Sequence, residues 1–320
     1  EPEDHTRFGY NWWMDYGGGP LSDEKYFFVR NAEAGYTFYE RGMVEGERYR
    51  EFIDAGGARH NGPLFYYLLS DQAKDVSLAV LDADGNVVRS WGNDEIPTER
   101  FEGFDNRGYG QETTTGQPAA GLGAGLNRFV WDMRYPMVSP IPGLPPVMIK
   151  PIAAPGTYQV RLTVDGEEQV HSFELSINPN ETYTADQVEA KKQAWMDLYT
   201  TAESGVQAVL RAQAAREQAA SAADGSGDLA DQAQKIVDLA TEIEASMVAT
   251  GKTLVQIISE PTKPLSKLVT LHNVMEHSEG PPTQPWMEFY EKVSTEIEGY
   301  IAEFDASLET ELARFEELRN

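Results

Sequence analysis

With no cysteine in the chain, histidine is the side chain best suited to binding a soft metal or to changing charge near neutral pH. There are five, His5, His60, His171, His272 and His277, and only the last two lie close in sequence, with Glu276 beside them. A zinc peptidase of the His-x-x-Glu-His kind needs three residues between its imidazoles. Four separate these two, which rotates the rings apart on a helix. No metal centre is expected. Disulfides, thiolate nucleophiles and cysteine-ligated metals are excluded by composition. The chain contains no Gly-x-Ser-x-Gly, no phosphate-binding glycine loop and no Ser/His/Asp set that can be assembled. Its 52 Asp+Glu make acidic pairs too common to nominate a glycosidase acid and base, which must face each other across a cleft. Asp132, after Trp131, is the only carboxylate in a distinctive strand context, and its expected role is to tie down a neighbouring loop. Asp82-Ala83-Asp84-Gly85 opens like a calcium loop, but the twelfth position is Asn93 where a closing Glu is needed, so a hairpin turn is expected. No catalytic residue and no cofactor follows, and the reading leans away from an enzyme.

One constellation could bind a ligand. Tyr10, Trp12, Trp13 and Tyr16 crowd around Gly17-Gly18-Gly19-Pro20, where flat rings could stack on the apolar faces of sugars. The same rings could equally plug into a neighbouring domain. Residues 1–58 show no sustained period and read as an irregular arm rich in aromatics and glycine. The stretch from Arg41 to Arg59 reads as a solvated connection or short helix.

The elements that must position these residues change character along the chain. From 59 to 179 the period is two. Val76, Leu78 and Val80 alternate with Ser77, Ala79 and Leu81, and Tyr158, Val160, Leu162 and Val164 precede an Asp165-Gly166 turn of the kind that joins paired strands. The return run carries Val170, Phe173, Leu175 and Ile177. Residues 92–125 form a glycine-rich excursion, and prolines from 136 to 155 favour an extended edge crossing over a central strand. Past Pro179 the period becomes about 3.6. Thr184 and Gln187 form a capping-box signature, and apolar faces at Trp195/Ala202/Val206/Val209, Ile236/Leu239/Ile243/Met247, Leu265/Leu268/Leu271/Met275 and Phe289/Val293/Ile297/Phe304 imply packed helices. The expected fold is α+β and multidomain: an Ig/fibronectin-III-like antiparallel β-sandwich over 59–179, then an antiparallel α-helical bundle over 180–320.

A chain of 320 residues is long enough for two such domains, and 26 Lys+Arg against 52 Asp+Glu give a net charge of −26. A surface of that sign repels phosphate backbones, which argues against nucleic acid, and suits a salty environment where self-repulsion is screened. No apolar run approaches the ~20 residues that span a bilayer, and the start lacks the basic-then-apolar plan of a signal peptide. The opening Glu1-Pro2-Glu3-Asp4 suggests a processed or excised piece of something longer.

Two motifs carry a resemblance. Gly-Leu-Asn-Arg-Phe-Val-Trp-Asp-Met-Arg-Tyr-Pro at 125–136 and Ala-Pro-Gly-Thr-Tyr-Gln-Val-Arg-Leu-Thr-Val-Asp-Gly at 154–166 follow the Asp-x-Asp-Gly turn in an order that resembles the C-terminal region of secreted bacterial sortilin-like, BNR-repeat propeller proteins. The similarity extends from about Gly62 to the end and includes Gly280-Pro281-Pro282-Thr283 before the last helix. The Asp-box repeats of the propeller are missing here, so no propeller residue has a counterpart in this chain. The resemblance implies export (periplasm, cell surface or medium) and a non-catalytic accessory, scaffolding or protein-interaction role. The implied partner is a protein or the propeller portion of a longer or associated chain. A carbohydrate-binding module built on Tyr10, Trp12, Trp13 and Tyr16, and a carboxylate-dependent glycoside hydrolase component, stand as alternatives.

Overall fold

Trp131 is fully buried where the sheets of this protein meet, and the chain on both sides of it is shaped around that indole. The computed structural model describes residues 7–9, 26–31, 34–44, 47–52, 62–93, 119–144, 146–177, 183–249, 262–276, 278 and 280–319, the first four segments as backbone. Among the described residues the fold is mixed α+β, with small, mostly antiparallel sheets followed by four helices.

The first sheet corrects the expectation of an irregular arm. Strands β1 (Arg7–Gly9), β2 (Tyr26–Asn31), β3 (Ala34–Val44) and β4 (Glu47–Phe52) pair in sequence order, β2 to β4 as an antiparallel meander. The expected connection or short helix after Arg41 is in part strand. In the backbone register Phe27 stands opposite Phe38 and Phe38 opposite Phe52, a pairing between strands that no period along the chain reveals.

Strands β5 (Leu64–Leu69), β6 (Val76–Leu81), β7 (Val87–Trp91), β8 (Gly125–Val130), β9 (Gly156–Val164) and β10 (Glu167–Leu175) make two antiparallel sheets, ordered β10-β9-β6-β7 and β5-β8. They share one buried cluster containing Tyr67, Leu69, Val76, Leu78, Val80, Trp91, Phe129, Trp131 and Tyr158. Trp131 meets Tyr158 and Phe173 edge-on at centroid distances of 5.7 and 6.3 Å. Gly62, at φ +134°, lets the chain pass so close that an added Cβ would lie 1.9 Å from the Trp131 carbonyl oxygen.

Both turns read from the sequence are present. Asp165 and Gly166 sit at φ +48° and +92°, a primed two-residue turn, and the Asp165 carboxylate accepts the Lys74 and Asp75 amides at 2.9 Å. Asp82 spends its carboxylate on the Asp84 and Asn86 amides, so that loop is a hairpin turn. The return strand departs from expectation at Val170, which is 49% exposed and paired with Arg161. Inward-facing Phe173 is two register steps from polar His171, and β10 is an edge blunted by charge.

Helices α1 (Ala185–Ala223), α2 (Asp228–Met247), α3 (Pro264–Glu276) and α4 (Gln284–Arg319) surround a second core of Leu198, Val206, Ile236, Met247, Leu268, Ile297, Phe304 and Phe315. Thr184 and Gln187 form the expected capping box. A Cβ on Gly205 would lie 3.1 Å from Leu265 Cδ2, so α1 and α3 cross closely at that point. Phe289 falls off the buried face, at 40% exposed.

The proline-rich passage is where the sequence reading falls short. Instead of running along a sheet edge, it crosses to the helices, and Val138, Ile141, Leu144, Val147 and Ile149 are buried in the helical core. Prolines keep this stretch out of the ladders, while its apolar residues, two to three positions apart, find a second hydrophobic surface to cover. The sheets and the helices are joined through it.

Candidate functional site

The richest polar constellation among the described residues lies on this seam. Its geometry begins at Asp132, whose Oδ1 accepts the Arg134 amide at 3.1 Å, closing a tight turn over Met133 at φ +58°. The Trp131 indole donates to the Arg134 carbonyl at 3.1 Å. A non-glycine residue in the left-handed region costs roughly 1 kcal/mol, offset here by those two hydrogen bonds. The turn sends the Arg134 side chain toward the helices. Its Nη1 donates to the Lys150 carbonyl at 3.1 Å, and its Nη2 donates to Glu276 at the end of α3. Arg89 of β7 closes the other side, with Nη1 3.1 Å from Asp132 Oδ1 and its guanidinium 5.2 Å from the Trp91 ring centroid.

His272 completes the set. It is 3% exposed, its Nδ1 lies 3.8 Å from Glu276 Oε2, and it is hydrogen-bonded to the Lys150 backbone. Burial pushes its pKa down to about 4, against the pull of Glu276, so the ring is neutral at pH 7. Lys150 is also held below the usual lysine range, first by burial and then by Arg134, with Asp132 opposing.

A second polar contact fastens the same passage to α1. Glu203 accepts the Ser139 amide at 2.8 Å, the Ser139 hydroxyl at 2.7 Å and the Gln207 amide at 2.7 Å. Burial alone would raise the Glu203 pKa, but the Ser139 and Gln207 hydrogen bonds overcome it and hold the carboxyl below its ordinary value. Beside it, Tyr199, Glu203, Gln207, Arg211 and Ile301 line an open groove of about 410 Å³. A carboxylate with three donors and an arginine taken by Asp305 leave this groove little reactive capacity.

The sequence-predicted residues fare unequally. Asp132 ties down its loop as expected. His272 and Glu276 come together, but with Arg134 between them and the sheets, and His277 lies outside the described residues. Among the described residues no three His, Asp or Glu side chains converge as metal ligands. Tyr10, Trp12, Trp13 and Tyr16 lie outside the described residues, as does most of the 92–125 excursion. Arg134, Lys150, Ser139 and Glu203 were missed. The available signal was an Arg and a Lys flanking an apolar, proline-rich passage in a strongly acidic chain.

One surface stands out for its lack of polarity. On the outer face of β5 and β8, Leu68 opposes Leu126 and Tyr66 opposes Arg128. Leu68 is 74% exposed, Leu126 71% and Tyr66 58%. No described helix is long and apolar enough to cross a membrane. Compared with known protein families, characterised proteins and solved structures, the chain matches none.

Proposed function

We propose that this chain is a non-catalytic accessory or scaffolding module of an exported bacterial protein, and that it works by binding another protein. In this reading the paired sheets are an immunoglobulin- or fibronectin-III-like sandwich and the helices an antiparallel bundle. The observation that carries it is the apolar pair Leu68 and Leu126 on the outside of a firmly packed sheet. Two leucines more than two-thirds exposed and directly cross-strand are costly in water and serve a protein surface better than a sugar or an ion. The ion pairs Arg89–Asp132 and Arg134–Glu276 and the Arg134–Lys150 hydrogen bond tie sheet, crossing passage and helix together, as a frame requires.

The partner in this proposal presents an apolar patch, and the resemblance to sortilin-like, BNR-repeat proteins makes their propeller the first candidate. A purified propeller of that kind, titrated calorimetrically with the chain, should bind the native protein and lose binding to Leu68→Asp/Leu126→Asp. Equal affinity for both forms would contradict the reading. Reproducible turnover of glycosidic or peptide substrates, abolished by one carboxylate substitution, would contradict its non-catalytic part.

A further inference from the structure

We draw no further inference here: the strongest candidate, the open groove of about 410 Å³ between α1 and α4 lined by Tyr199, Glu203, Gln207, Arg211 and Ile301, has its carboxylate taken by Ser139 and Gln207 and its guanidinium paired with Asp305, and nothing in the structure shows what covers it.

Discussion

Arg134 and Glu276, 142 residues apart in sequence, form an ion pair that fastens the turn after β8 to the last residue of α3. Both side chains are about four-fifths buried, at 19% and 21% exposed. Breaking such a pair from one side leaves the other charge stranded. Arg134→Met should cost about 3 kcal/mol in chemical denaturation, while Arg134→Met/Glu276→Leu should recover more than half of it. Additive losses in the double variant would mean that the two side chains contribute independently.

His272 gives the seam a pH dependence. Its pKa is about 4 in the folded chain, against about 6.5 for an unperturbed imidazole. Between these values the unfolded chain binds the proton and the folded chain does not. Stability therefore falls as pH drops through that window and levels off below about 4. The contribution from this one group is about 2 kcal/mol between pH 7 and pH 5. His272→Asn should flatten the curve by that amount in urea titrations across the window; parallel curves would show that the ring protonates equally easily in both states.

Trp131 holds the sheets together and bonds to the carbonyl of Arg134. Trp131→Ala should cost ~3–5 kcal/mol, as a large buried aromatic does. Trp131→Phe should cost less but still loosen the turn, because it lacks the indole donor. Gly62→Ala tests the same corner from outside, since its Cβ collides with backbone that cannot swing away. Circular dichroism melts of the three variants should rank the phenylalanine mildest.

How much of this could be read beforehand follows from the range of each signal. Period and turn chemistry are local, so the hairpins at Asp82–Gly85 and Asp165-Gly166, the capping box at Thr184 and, Phe289 excepted, the four helical faces were legible. Asp132 as a loop anchor was legible too, because its partner is two residues away. The strands between Tyr26 and Phe52 were not, since the register that sets Phe27 opposite Phe38 and Phe38 opposite Phe52 exists only between strands. Nor was the seam. Val138 and Ile149 read as an edge because prolines dominate their neighbourhood, and nothing local points to helices some sixty residues on. Arg134 and Glu203 have meaning only through Glu276 and Ser139, contacts at separations of 142 and 64 residues.

The net charge of −26 predicts a response to salt. Folding concentrates like charge, and the screening length shrinks from about 8 Å at 0.15 M to about 3 Å at 1 M. The melting temperature should rise from low salt to molar sodium chloride. Sodium sulfate should raise it further through exclusion from the surface. A flat chloride response would mean that the acidic side chains are neutralised locally.

Sheets and helices form one frame, welded by the passage through Val138, Ile141 and Ile149. Scanning calorimetry of the native chain, beside a Val138→Asp/Ile149→Asp variant, tests it most directly. The described strands β5 to β10 and helices α1 to α4 should give one cooperative transition in the native protein, with α1 and the β6-β9 pair losing hydrogen-exchange protection together, and two separate transitions in the variant. Two independent transitions already in the native chain would contradict the account.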